Sequence, residues 1–355
     1  MSNFIVLGLG KKSVHLEAIF RDVADGKVPN AHYQHVPPLY ASRFRVIRFL
    51  TGQKIKQLAH RNLMLKLLLS PVSKAASKLP KSINLQPLRP LLSKTEENYI
   101  IICLGTNYNW LKPELVQALK SEPLCHHLIL YLIDSVDNNA RACQRSLDEL
   151  LIFFQSFDRV FTYDAGDAEL YHNHMQFVDI PLWKTAIATP RGESAVPATD
   201  LYFCGKNKCR LDIITAVRDR LIKAGLKCNY LLTTWDPSIT SEGGIPVRHW
   251  VPYAETIGGI LETNCILEVL SENNRASTLR YKEAVIYNKK LLTNNPNITG
   301  LPYYDSRWMR VFQTAEDIDL EWLHAVEPVD YGYRGDYSAE TFLHRVEELT
   351  RNPKT

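Results

Sequence analysis

Between Gly26 and Thr95 the sequence has no aspartate and no glutamate, while the same stretch carries thirteen lysines and arginines. The whole chain holds 42 basic and 38 acidic side chains in 355 residues, so subtracting those thirteen leaves 29 basic against 38 acidic elsewhere. The net charge of +4 therefore hides a basic segment in an otherwise acidic protein. Cys-x-x-Cys pairs are also missing. The seven cysteines (103, 125, 143, 204, 209, 228 and 265) are odd in number and widely spaced, which excludes a disulfide framework and argues against a structural zinc site. Long apolar runs are absent too. Tyr99–Leu104 and Leu128–Ile133 are far too short to cross a bilayer and read as buried strands. The start, Met1 to Gly10, is an apolar strand closing on glycines, without the basic start and small-residue cleavage site of a secretory signal. A cytoplasmic location is the expectation.

What is present fits a globular protein of two ordinary domains: 45% hydrophobic and 23% charged residues over 355 positions. The basic segment 26–95 is partly apolar, as in Leu63-Met64-Leu65-Lys66-Leu67-Leu68-Leu69. Leucines with interleaved cations can form a helix resting on an anionic membrane surface. Nucleic-acid binding is the rival reading, since the same cations neutralise phosphates. A solvated helical face beside an active-site cleft is the third. The membrane surface is the partner carried forward, and nucleic acid is not.

Strand and helix signals alternate through both halves. In the first, strands are expected at Phe4–Leu7, Tyr99–Leu104, Leu128–Ile133 and Arg159–Thr162. Helices are expected at Leu115–Lys120 and, unbroken, at Ala142–Phe154, with proline-interrupted helix over about 43–92. In the second half, strands are expected at Leu201–Cys204, Cys228–Leu232, Val247–Val251, Cys265–Leu270 and Lys290–Thr293. Helices are expected at Leu211–Ala224, from Tyr253, at Ser277–Tyr287 and near Ser338–Leu349, with Ser338 as N-cap. The rhythm predicts parallel sheets with ligands at the strand carboxyl ends. The resulting division is 1–185, a linker at 186–199 rich in proline and polar residues, 200–325, and a helical tail at 326–355.

Gly8-Leu9-Gly10 follows a strand, but Ser13 stands at the third glycine position of a dinucleotide fingerprint and the expected downstream acid is missing. It reads as a glycine turn at a cleft edge. Asp317-Ile318-Asp319 resembles a metal pair, yet it precedes Leu320-Glu321-Trp322-Leu323 and reads as acids opening a helix. No metal is expected. Around Ser277 and Thr278 a polar loop enters a helix whose free N–H groups can hold a diphosphate. Glu283 lies four residues after Leu279 and three before Ile286, on their inward face. A carboxylate there needs a partner. Two ribose hydroxyls would serve, and so would Arg280 one turn back.

The run Ser277-Thr278-Leu279-Arg280-Tyr281-Lys282-Glu283-Ala284, followed by Asn288-Lys289-Lys290-Leu291-Leu292-Thr293, resembles the donor-site helix of GT-B glycosyltransferases. More narrowly, it is similar to bacterial proteins of that fold that build capsule, exopolysaccharide or lipopolysaccharide. Tyr202-Phe203-Cys204-Gly205-Lys206 and Tyr253-Ala254-Glu255 match further pieces of the second domain. Tyr131-Leu132-Ile133-Asp134-Ser135 and Phe157–Asp164 match pieces of the first. The resemblance spans about Leu128 to Phe312.

It implies an α/β chain of two Rossmann-like βαβ domains facing across a cleft. The implied reaction is metal-independent transfer of a sugar from a nucleotide diphosphate sugar to a hydroxyl of a glycan or lipid-linked acceptor, with no cofactor beyond the donor. Carried over by position, Glu283 binds the donor ribose, Ser277 and Thr278 hold the diphosphate beside Leu279, Gly205, Lys206 and Arg210 line a phosphate-facing loop, and Val251 lies near the base. Arg275 stands where retaining members often carry a second glutamate, which leaves the stereochemistry open. Asp134, after an apolar strand, is the candidate acceptor base or else a turn aspartate; His15 is the second choice for the base. A nucleotide-sugar 2-epimerase on the same fold and a non-catalytic scaffold of a polysaccharide assembly complex are the alternatives. The expected location is the cytoplasm, peripheral on the inner membrane through segment 26–95.

Overall fold

A computed structural model of the chain describes residues 2–9, 19–36, 38–39, 82–83, 99–105, 113–122, 125–143, 145–179, 197–234, 236, 238–249, 251–270 and 278–352. Of the helices expected over 43–92 only Ser82–Ile83 is described, and it is a short strand rather than helix because it pairs with Pro38–Leu39; the rest lies outside these residues, as do His15, Arg275 and Ser277. Two compact units are present. One is Met1–Ser13 with Pro29–Phe161, the other Val14–Val28 with Thr162–Thr355.

The first sheet is built from β1 (Asn3–Leu9), β2 (Ala31–Val36), β5 (Tyr99–Gly105), β6 (Cys125–Leu132), β7 (Arg159–Thr162) and β8 (Gln176–Phe177), in the order β2-β1-β5-β6-β7-β8. β1 runs parallel to both β2 and β5, and β5 parallel to β6. A separate antiparallel pair joins β3 (Pro38–Leu39) to β4 (Ser82–Ile83). The interior of β5 and the second half of β6 are buried on both faces. That is why they read as continuous apolar runs rather than alternating ones. The helices after β1, β5, β6 and β7 include α1 (Arg21–Ala24), α2 (Pro113–Lys120), α3 (Val136–Cys143), α4 (Leu147–Phe154) and α5 (Ala165–Leu170).

The single helix expected over 142–154 is in fact two. Ser146 has an extended backbone, its hydroxyl accepts from the Glu149 N–H at 3.2 Å, and the Glu149 carboxylate accepts from the Ser146 N–H at 2.8 Å. This reciprocal cap starts a new helix, and such a cap is worth about 0.5–2 kcal/mol.

The second sheet contains β9 (Thr199–Lys206), β10 (Cys228–Thr233), β11 (Ser241–Glu242), β12 (Ile245–Arg248), β13 (Thr263–Glu268), β14 (Lys290–Thr293) and β15 (Met309–Val311), in the order β11-β12-β10-β9-β13-β14-β15. All neighbours are parallel except β11 with β12. Those two close a hairpin through Gly243 and Gly244, both at positive φ (55° and 73°), which a two-residue turn of that type requires. The turn also explains why the strand expected at Val247–Val251 sits at Ile245–Arg248 instead.

Successive residues of β9 point to opposite faces. Leu201 and Phe203 join a core with Ile214, Val217 and Leu221 of α6 (Leu211–Lys223). Tyr202 and Cys204 join another with Ile260 of α7 (Tyr253–Glu262) and with Tyr281, Ala284 and Val285 of α8 (Leu279–Ile286). The sheet is covered on both sides, the doubly wound arrangement.

Asp319 is the N-cap of α9 (Leu320–His324), accepting from the Trp322 N–H at 3.0 Å, and Asp317 closes the preceding turn on the Thr314 N–H at 2.8 Å. Asp319 opens the helix as the sequence reading had it, whereas Asp317 ends the short turn Ala315–Asp317 before it. Ser338 caps α10 (Ala339–Arg351) by accepting from the Thr341 N–H. Among the described residues no helix is long and apolar enough to cross a membrane.

Candidate functional site

The chain order of the second sheet reverses at one place. From β9 it runs outward through β10 and β12, then returns to the other side of β9 and continues through β13, β14 and β15. Open parallel sheets bind ligands outside the carboxyl ends of the strands at such a switch point. Here that is the edge where β9 ends at Lys206 and β13 ends at Glu268.

Arg210 spans this edge. Its Nε and Nη2 donate to the Lys206 carbonyl at 3.1 and 3.0 Å, and its Nη1 donates to the Val269 carbonyl. The guanidinium thus ties the end of β9 to the residue just past β13. Gly205 makes room for it, since a Cβ there would meet Arg210 Nη2 at 3.2 Å and the Phe203 ring at 3.3 Å. Burial, together with the nearby Arg280 charge, pushes the Arg210 guanidinium down to about 10, against a pull upward from Glu268. The loop between β9 and α6 holds Lys208 and Cys209 at positive φ (45° and 61°), and Arg210 at the start of α6 offers no side-chain cap.

Helix α8 begins at the same edge. Thr278 is its N-cap, with the hydroxyl accepting from the Arg280 N–H at 3.1 Å and donating to Glu268. Thr293, the last residue of β14, donates to the other Glu268 oxygen at 2.5 Å. Glu268 is 2% exposed, and burial raises its carboxyl above the usual range, against the two threonine hydroxyls and the charges of Arg280 and Arg210.

Glu283 lies on the inward face of α8 and is 0% exposed. Both of its oxygens have partners: Arg280 Nη1 donates to one and the Tyr253 hydroxyl donates to the other at 2.9 Å. Arg280, whose side chain is 21% exposed, also donates through Nη2 to the Cys204 carbonyl at 3.0 Å. Arg280 is one of the two partners left open to Glu283 on sequence grounds, and it is engaged. Tyr253 is an addition that the apolar spacing of its helix concealed. Leu279 packs with Tyr253 and Ile257, and Val251 is half-buried against the core beneath α8.

Gly205, Lys206, Arg210, Val251, Thr278, Leu279 and Glu283 all belong to this unit. Glu268 was not singled out from sequence, although an acid closing a fully buried apolar strand was a usable signal. Asp134 lies two residues beyond β6 in the first unit. Its Oδ1 accepts from the Ser135 N–H at 3.1 Å and Asn138 Nδ2 at 2.9 Å, and its carbonyl accepts from Asn139 Nδ2 at 2.8 Å. It therefore builds the turn into α3, while its Oδ2 has no partner among the described residues.

No family model matches the sequence, and no curated protein matches it. Solved structures do. Sucrose-phosphate synthase from Thermosynechococcus elongatus matches over 99% of this chain and 98% of its own, at 10% identity and a TM-score of 0.52. An α-glucosyltransferase solved with UDP and a 13-mer DNA matches over 99% and 91%, at 10% identity and a TM-score of 0.50. The UDP-GlcNAc 2-epimerase of Methanocaldococcus jannaschii matches over 99% and 100%, at 13% identity and a TM-score of 0.46. The chain spans about half the length of TarM, covering 55% of it. The fold is GT-B.

Within the GT-B fold, two features of the second unit bear on anion chemistry: the guanidinium clasp at the switch point and the start of α8. The first N–H groups of a helix carry partial positive charge and bind phosphate oxygens. Thr278 and Glu268 hold that start in place.

Proposed function

We propose that this chain is a glycosyltransferase that moves a sugar from a nucleotide diphosphate sugar to a hydroxyl of a glycan or lipid-linked acceptor in surface-polysaccharide assembly. The observation that carries this reading is Arg210 bridging the Lys206 and Val269 carbonyls at the β9–β13 switch point, beside the start of α8. The GT-B fold adds support, as does the presence of UDP in the solved α-glucosyltransferase.

In the proposed reaction the leaving diphosphate gathers negative charge as the glycosidic bond breaks. Lys206, Arg210, Thr278 and the first N–H groups of α8 would stabilise it, with Ser277, outside the described residues, as a further candidate; preoriented donors of this kind are usually the largest single contribution an enzyme site makes. These cations and donors would supply that stabilisation themselves, so the reading calls for no cofactor beyond the donor. Val251 and Leu279 would face the nucleoside. Glu283 would take the ribose hydroxyls. Because its side chain has no exposed surface, they reach it only when the Arg280 guanidinium turns aside. Asp134, through its Oδ2, is the proposed base for the acceptor hydroxyl, with His15 as the second choice. The basic segment 26–95 would rest on the anionic cytoplasmic face of the inner membrane, where a lipid-linked acceptor is presented.

The test is a thermal-stabilisation screen across UDP, GDP, CMP and dTDP sugars, since a ligand that binds only the native state raises the melting temperature. One nucleotide class is expected to raise it. If none does, the donor reading fails and a non-catalytic scaffold takes its place. Product analysis with the stabilising donor then separates transfer to an acceptor from 2-epimerisation.

A further inference from the structure

Strand β13 is buried along its whole length and ends on an acid, Glu268. A carboxylate in such a place is costly unless its oxygens are satisfied. Here both are, by hydroxyls that are themselves fixed. Thr278 Oγ1 accepts from the Arg280 N–H at 3.1 Å, and Thr293 Oγ1 accepts from the Asn295 N–H at 3.0 Å, so each hydroxyl proton is left to point at Glu268. Arg210 takes the carbonyl of the very next residue, Val269. One buried side chain thus locks the rotor of the α8 N-cap and stands beside the guanidinium clasp.

We propose that Glu268 is a positioning residue for the donor diphosphate, acting through Thr278. It holds the hydroxyl as an acceptor toward Arg280 N–H, and so fixes the first turn of α8 in the geometry that meets the phosphates. This rests on the nucleotide-sugar reading above. With glutamine at 268, the amide either donates to the threonine hydroxyl or leaves one of the two hydroxyls without its anionic acceptor, and the rotor is released while the side-chain volume is kept.

The experiment is a double-mutant cycle, Glu268→Gln with Thr278→Val, read by calorimetric titration with UDP, GDP and dTDP. The nucleotide that the wild type binds should bind about tenfold more weakly to each single variant, the loss expected of one hydrogen bond to a charged group. The double variant should bind no more weakly than Thr278→Val alone, because residues acting through one another are not additive. Thr278→Ser, which keeps the hydroxyl, should restore most of the affinity. Wild-type affinity in Glu268→Gln, or additive losses of about a hundredfold in the double variant, would overturn the proposal and leave the nucleotide reading intact. Binding of none of the three nucleoside diphosphates by the wild type overturns that reading, and this inference with it. Glu268→Asp, which withdraws the carboxylate by one methylene, carries the same cycle if the glutamine variant does not fold.

Discussion

Arg280 and Glu283, one turn apart on α8, form an ion pair in which the carboxylate is wholly buried and the guanidinium also reaches across to the Cys204 carbonyl on β9. The pair therefore links α8 to the central strand of its sheet. Removing one partner strands the other. Arg280→Met should lower stability by about 3–5 kcal/mol, the cost of leaving a buried charge uncompensated, measured by chemical denaturation. A loss below ~1 kcal/mol would mean that Tyr253 alone satisfies Glu283.

Glu283→Gln keeps the volume and the Tyr253 hydrogen bond but removes the charge. If Glu283 binds the donor ribose, nucleotide affinity should fall roughly tenfold to a hundredfold while the fold persists, matching a loss of about 1.5–3 kcal/mol from charged hydrogen bonds. Titration calorimetry with the stabilising nucleotide decides it. An unchanged dissociation constant would confine Glu283 to its structural pair with Arg280.

Asp134→Asn is a clean probe of the proposed base. Asparagine retains Oδ1, which accepts from Ser135 and Asn138 in the turn, and loses only the ability to take a proton. Turnover should drop by about 10²–10⁴-fold with donor affinity little changed, because a base acts in the transition state. Near-normal kcat would leave Asp134 as a turn residue and direct attention to His15.

Glu268 should leave a signature in the pH dependence of stability. Burial raises its native carboxyl above the ordinary glutamate value of about 4.5, so on acidification the native state takes up this proton before the unfolded chain does. Stability from this group is therefore fully present below about 4.5 and is lost as pH rises through the native value. Melting temperatures of wild type and Glu268→Gln, followed from pH 7.5 to 4.5, should show the wild type gaining on the variant as pH falls. A constant difference would show that the carboxyl titrates as it does in water.

The segment 26–95 should bind anionic membranes. Each lysine or arginine near such a surface contributes about 1 kcal/mol, and apolar insertion adds to it. Not all thirteen can face the surface together, so a few kcal/mol in total is expected. Co-sedimentation with anionic and neutral liposomes at low and high salt reads this out, with binding weakening as salt rises. Equal, negligible binding to both liposome types would exclude a membrane role for the segment.

Apolar runs and their punctuation made the parallel strands legible: Arg159–Thr162 and Lys290–Thr293 lie where hydrophobicity places them. Ser338 was legible as a cap, and Asp319 as an acid opening a helix, because both depend on local chemistry at a helix start. The same chemistry at Ser146 and Glu149 was equally present in the sequence, though hidden inside an amphipathic pattern that reads as one helix across the break. β2 was not legible, because Ala-His-Tyr-Gln-His-Val has no apolar period and becomes a strand by pairing along β1. At the candidate site, the sequence by itself determined which residues stand on α8 and that Glu283 faces inward, since helical period depends on spacing alone. Only the tertiary structure decided what Glu283 meets. Tyr253 is thirty positions away from it, and the Cys204 carbonyl that holds its other partner, Arg280, is further still; such partners are chosen when the sheet brings β9 and β13 side by side. Glu268 is the same case: nothing within its strand says that a buried carboxylate can be tolerated there, and the two threonines that make it tolerable arrive from a different helix and a different strand.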